Sequence, residues 1–117
     1  ENTEQLYGHP KKGASWEGFV IEQILPLLPG NRNFYFYRSH DGAEIDLVIT
    51  KGNKAIAAIE IKFGSNVKPS RGNTEAIKFL NTKNNFIIIN SNEDFELSNG
   101  FRICGLQIFL EKYLGLI

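Results

Sequence analysis

The sequence predicts one α/β domain, residues 1–117, built around a mixed sheet. Three observations predict it. Apolar residues recur at helical spacing as far as Pro29-Gly30 and then alternate with a period of two. A tight connection, Lys51-Gly52-Asn53-Lys54, joins two of the alternating segments. A helical stretch then separates the third strand from a fourth, which invites a right-handed parallel crossover.

The elements follow in order. Gly8, Pro10 and Gly13 make the first dozen residues read as loop. Ser15 reads as a helix N-cap, with Glu17 in the first turn, where the helix dipole favours an anion. Trp16, Phe19, Val20, Ile24, Leu27 and Leu28 form the apolar face, and Pro26 and Pro29-Gly30 kink or end the helix. Phe34 to Arg38 is an aromatic strand, and His40-Asp41-Gly42 is a turn. Glu44 to Thr50 alternates, with Ile45, Leu47 and Ile49 on one face and Glu44, Asp46 and Val48 on the other. Ala55 to Lys62 is the next strand, with Ile59 and Ile61 opposite Ala58, Glu60 and Lys62. Thr74 to Leu80 is a second helix with Ile77, Phe79 and Leu80 as its apolar residues. Phe86 to Ile89 is a strand buried on both faces. Phe95 to Leu97 and Phe101 to Cys104 supply one or two short edge strands, and Leu106 to Leu114 is a last helix.

Composition excludes several functions. The apolar share of 42% is globular, and no apolar run approaches the roughly 20 residues that span a bilayer, so no membrane partner is expected. One cysteine, Cys104, excludes a disulfide framework or a cysteine zinc site and fits a reducing, cytoplasmic setting. Thirteen basic and thirteen acidic residues exclude a uniformly basic nucleic-acid binder. The balance hides an uneven spread. Residues 1–61 carry eight acids and six bases, 62–83 carry five bases and one acid, and 84–117 carry four acids and two bases. A basic loop and helix with Lys68, Arg71 and Lys78 is where a nucleic-acid backbone would lie, with a merely solvated helix face as the alternative.

Asp46, Glu60 and Lys62 interrupt two apolar strands. If the hairpin turns at Gly52-Asn53, Asp46 falls near Ile59 with Glu60 one place away, a slip that a bulge would absorb. Two carboxylates losing water together are costly without a cation. Magnesium or manganese would answer that cost, with one or two carboxylates and several waters as ligands. Lys62 on the same face as Glu60 could orient or deprotonate a bound water, and Glu17 could approach the same ion. This is machinery for phosphodiester hydrolysis. Glu44 reads as the partner of Arg38 across the hairpin, with an extra metal ligand beside Asp46 as the alternative, and Arg38 could instead hold a phosphate. Trp16 reads as core, with a stacking platform as the alternative; His40 reads as solvent-exposed, and Cys104 as buried.

Glu17 on a helix, an Arg38-x-x-x-Gly42-x-Glu44-x-Asp46 string and Glu60-Ile61-Lys62 together resemble the PD-(D/E)XK, or restriction-endonuclease-like, nuclease superfamily. More narrowly, Gly13 to Val20, Tyr37 to Val48 and Ile59 to Lys62 resemble the C-terminal domain of unknown function of bacterial and archaeal AAA+-type ATPases. The resemblance implies an αβββαβ core with a four-stranded mixed sheet. It implies magnesium binding by Asp46 and Glu60, with the Ile61 carbonyl as a further ligand, Lys62 as the catalytic lysine and Glu17 as the helix carboxylate. It departs in one place: Ile45 stands where the superfamily's name has proline. It also implies DNA as substrate and an ATPase module in the same full-length chain, and it allows a homodimer. A chain that begins Glu1-Asn2-Thr3 without methionine, and has no P-loop, reads as an excised piece of such a protein. A DNA- or protein-binding module that kept the fold and lost the activity is the alternative.

Overall fold

The computed structural model describes residues 12–117, with side chains from Ser15 onward. Most of the loop expected over the first dozen residues lies outside the described residues. Helix α1 spans Lys12–Ile24 and tightens into a 3₁₀ turn, Leu25–Leu27, at the position of Pro26. It starts three residues before Ser15, so Ser15 is not its cap and Glu17 is not in its first turn. Lys12 and Ala14 are good helix formers and favour the added turn, against a cost of up to about 1 kcal/mol for Gly13 within it. Val20 and Ile24 face the core, whereas Phe19 and Leu27, expected there, are about half exposed at 48% and 58%.

Strand β1 is Arg32–Arg38, β2 is Glu44–Lys51 and β3 is Lys54–Ile61. Helix α2 is Arg71–Leu80, followed by β4, Asn84–Ile89. Short strands β5, Asp94–Glu96, and β6, Arg102–Gly105, come next. The last helix begins as α3, Leu106–Ile108, widens through a π turn, Phe109–Tyr113, and tightens at Leu114–Leu116. The result is a mixed α/β domain with one six-stranded sheet in the order β1-β2-β3-β4-β6-β5. The first six elements run helix, three strands, helix, strand, in the expected order. The sheet is wider than the expected four strands because β6 and β5 extend it. β6 is not an edge: it pairs parallel with β4 and antiparallel with β5, and Ile103 and Cys104 bury opposite faces.

The chain packs two apolar layers, one on each side of the sheet. Val20 and Ile24 of α1 and Phe109 of the last helix cover Leu47, Ile59, Ile61 and Ile88. Ala76 and Ile77 of α2 cover Ile45, Val48, Ala58, Ile87 and Ile103. Ile45 therefore faces α2 and not the side of Leu47 and Ile49. Between Tyr35 and Tyr37 the β1–β2 register shifts, with two β2 residues, Asp46 and Leu47, set against one on β1. That bulge turns Ile45 over and re-aims Asp46.

Helix α2 begins at Arg71, ahead of the expected Thr74. Ser70 accepts a hydrogen bond from Asn73 N at 3.0 Å, and Asn73 Oδ1 accepts one from Ser70 N at 2.9 Å. This reciprocal cap satisfies two otherwise orphaned donors. Phe79, one of the apolar residues of this helix, is 76% exposed and stacks on Tyr37 at 6.2 Å. Gly72 has no substitute at its place, because a Cβ there would meet the carbonyl oxygen of Gly42. The start of α2 thus rests directly on the β1–β2 turn, just before the Glu44–Asp46 segment.

Candidate functional site

The β2–β3 hairpin turns through Gly52, whose φ of +63° suits glycine, and pairs Lys51 with Lys54. A second register shift lies between Ile49 and Thr50, with Ile56 as the extra residue. Beyond it the ladder pairs Leu47 with Ile59, which sets Asp46 opposite Glu60. The one-residue slip that separated them on paper is absorbed by this bulge.

At that point the two side chains replace the main-chain ladder. Asp46 N donates to Glu60 Oε1 at 3.0 Å, and Ile61 N donates to Asp46 Oδ2 at 2.9 Å. Each carboxylate thereby accepts from the backbone of the other's strand. Lys62 Nζ lies 3.5 Å from Glu60 Oε2. Asn73, fully buried on α2, donates from Nδ2 to the Glu44 carbonyl at 2.9 Å. Asn73 is the contributor that motif reading missed; the Ser70-x-x-Asn73 spacing was its signal.

The electrostatics are those of under-compensated acids. Burial, and then the charge of Asp46, pushes the Glu60 carboxyl up to about 7 against the pull of Lys62. Burial raises Asp46 too, opposed by the Ile61 N–H and by Lys62. Glu17 reaches this field from α1: burial first, then Asp46, pushes it up to about 7, with Arg38 pulling the other way. Such shifts come from desolvation and like charge, and they concentrate where a site holds charge for a purpose.

Asp46, Glu60, Ile61 and Lys62 therefore come together, with Glu17 as an electrostatic neighbour. Among the described residues, no group of three or more His, Cys, Asp or Glu side chains converges in a metal-holding arrangement, so Glu17 does not join the pair in one. The pair itself suits a hard divalent ion. Its donors are all oxygen, and among the described residues Glu60 Oε2 is engaged only by Lys62, at the limit of hydrogen bonding. Magnesium commonly takes one or two carboxylates and keeps several waters.

The basic residues are more dispersed. Arg38 pairs with Glu44 at 3.4 Å, as expected, and Arg71 pairs with Glu75 at 3.0 Å. Lys68 and Lys78 are exposed, on the loop before α2 and in its last turn. His40 is exposed and Cys104 fully buried, as expected; burial lifts the Cys104 thiol to about 12. No helix among the described residues is long and apolar enough to cross a membrane.

Fold and site define a mixed α/β domain that carries a desolvated carboxylate pair and a lysine beyond the end of its central hairpin ladder. The chain belongs to the family described as Domain of unknown function (DUF4143), whose model matches residues 12–109. It is similar to an uncharacterized protein of Mycobacterium tuberculosis and to one of Mycobacterium bovis, each 36% identical over 94 residues. Those residues are 80% of this chain and 21% of each relative, so the chain spans about a fifth of the relatives' length. No solved structure matches the chain.

Proposed function

We propose that this domain is a magnesium-dependent, PD-(D/E)XK-type nuclease that hydrolyses DNA phosphodiester bonds. The observation that carries the reading is the reciprocal Asp46–Glu60 arrangement with Lys62 beside it. The order of α1, β1 to β3, α2 and β4 supports a restriction-endonuclease-like core, with β6 and β5 as additions. Asp46 and Glu60 would hold the ion, and the Ile61 carbonyl, between Glu60 and Lys62 at the end of β3, would be a further ligand. When bound, magnesium lowers the pKa of water and offsets charge on the phosphate. Lys62 orients the attacking water and supports loss of its proton. Glu17 holds or releases a proton beside Asp46 near neutral pH, where general acid–base groups work best. Arg38, Lys68, Arg71 and Lys78 receive the phosphate backbone. In the full-length protein we place this domain beside an ATPase module, and most of each relative lies outside the matched residues.

Purified protein with magnesium or manganese, given plasmid, branched and single-stranded DNA, tests the reading. Cleavage is expected to fall by about 10²- to 10⁴-fold in Lys62→Met and to vanish in Asp46→Asn together with magnesium binding by calorimetry. No cleavage of any substrate by the wild type, or equal cleavage by Asp46→Asn, sinks it. DNA binding that survives in Asp46→Asn while the wild type cuts nothing would leave the binding-module reading in its place.

A further inference from the structure

The six-stranded sheet has two edges, and they are finished differently. β5 is three residues long and carries Asp94 and Glu96, both engaged by Arg102. Shortness and charge are among the ways in which proteins keep an edge from pairing with another chain. β1 has neither protection. It is seven residues long and reads Arg32-Asn33-Phe34-Tyr35-Phe36-Tyr37-Arg38, with charge only at its two ends. It pairs with β2 on one side, and among the described residues no strand pairs with the other. Alternate main-chain N–H and C=O groups on that outer side therefore have no ladder partner. The β1–β2 bulge leaves the edge regular, because its extra residue lies on β2.

The side chains of β1 fit a second copy of the same strand. Phe34 pairs with Ile49 on the α1 side of the sheet, the side that Phe36 and Arg38 share by alternation. Tyr35 and Tyr37 pair with Val48 and Ile45 on the α2 side. Run antiparallel against itself about a two-fold axis at Phe36, the strand sets Phe36 against Phe36, Tyr35 against Tyr37 and Phe34 against Arg38. Each pair shares one face, and aromatic pairs and an arginine over a phenyl ring both stabilise such contacts. An axis at Tyr35 would instead set Arg32 against Arg38 twice, and like charges directly opposite repel. We propose that β1 is a homodimerisation edge, through which two copies join antiparallel about Phe36 into one continuous sheet. Phe34, Tyr35 and Phe36 are 43%, 39% and 64% exposed, so their open surface comes to roughly 300 Å² per copy. That is under half of the roughly 800 Å² that each partner buries in a standard interface, so the dimer is a weak one. Asp46 and Leu47 lie against the Phe36 position, so the axis brings the two copies' Asp46 residues within about three strand spacings, roughly 14 Å.

Sedimentation of the wild type between about 1 and about 200 μM is expected to show a monomer–dimer equilibrium with a Kd of about 1–100 μM. Phe36→Asp removes both central rings and sets two carboxylates face to face, and should weaken the dimer by about tenfold or more. Phe95→Asp, on the opposite edge of the sheet, should leave the Kd unchanged. Phe36→Cys should form an intermolecular disulfide on mild oxidation, because directly opposed residues of antiparallel strands lie about 4.5–5.5 Å apart at Cα, within disulfide reach. Cys104 is fully buried and does not compete. Hydrogen exchange needs no variant: in the wild type, exchange of the β1 amides should slow as protein concentration rises, while that of β5 stays constant. A monomer at the top of the concentration range, a dimer that Phe36→Asp leaves intact, or β1 exchange that ignores concentration overturns the inference. All of these measurements are made without magnesium or DNA, so they stand or fall apart from the nuclease reading.

Discussion

Two acidic clusters sit in different parts of the same sheet and behave in opposite ways. Asp94, in β5, accepts from Arg102 Nη1 at 2.7 Å and from the Tyr113 hydroxyl at 2.9 Å, with Lys112 at 3.6 Å. Arg102 also lies over the Tyr113 ring, 5.2 Å from its centroid. Burial works against the Asp94 charge, but the Arg102 and Tyr113 hydrogen bonds and the Arg102 and Lys112 charges outweigh it and hold the carboxyl below its ordinary value. Asp46 and Glu60 receive two backbone N–H groups and one distant lysine, and burial wins there. Compensated carboxylates fasten a fold, whereas under-compensated ones are available to a cation or a proton.

The sharpest way to break this contrast is Glu60→Gln. The folded carboxyl titrates at about 7, above its ordinary 4.5. Below pH 4.5 it is protonated whether the chain is folded or not, and the stability associated with the shift is fully present. As pH rises through 7 the folded chain must ionise a buried group, and that stability is lost. Metal-free wild type should therefore be less stable at pH 8 than at pH 5, and Glu60→Gln should remove about 1–3 kcal/mol of that difference. Urea melts in EDTA at the two pH values measure it, and added magnesium should flatten the wild-type slope in the same way.

Arg102→Ala sharpens the contrast from the other side. It should lower stability by about 1–2 kcal/mol, because it strips a charge-assisted hydrogen bond from Asp94. The Asp94 carboxyl is depressed below 3.8, so its contribution is present above that pH and lost as pH falls through the folded value. The stabilities of variant and wild type should draw together as pH falls below 3.8. The smallest effect belongs to Arg71→Ala. Its pair with Glu75 is an exposed i,i+4 contact at 3.0 Å and should be worth under about 0.5 kcal/mol in the same melts.

Much of the acidic site was legible before folding was considered. Alternation alone put Glu60 and Lys62 on one face, and the Lys51–Lys54 turn made β2 and β3 neighbours. The Arg38–Glu44 pair follows from the preceding turn in the same way. Local pattern failed where the backbone departs from regularity. A period of two cannot reveal the bulges: it puts Ile45 on the face opposite the one it occupies and leaves Asp46 and Glu60 one residue out of register. Phe19 and Phe79 look like core residues because hydrophobicity records a ring but not whether a partner surface exists to cover it.

The Asp94 cluster shows the other limit. Asp94, Arg102 and Tyr113 are far apart by any motif spacing, and only the β5–β6 pairing and the π turn of the last helix bring them together. The sequence by itself determined the element order, the hairpin partners and the residues able to do chemistry, because these depend on short-range periodicity and turn geometry. Tertiary structure alone decided which acids are compensated. Compensation depends on desolvation and on donors from distant segments, and neither is encoded within a few residues of the acid itself.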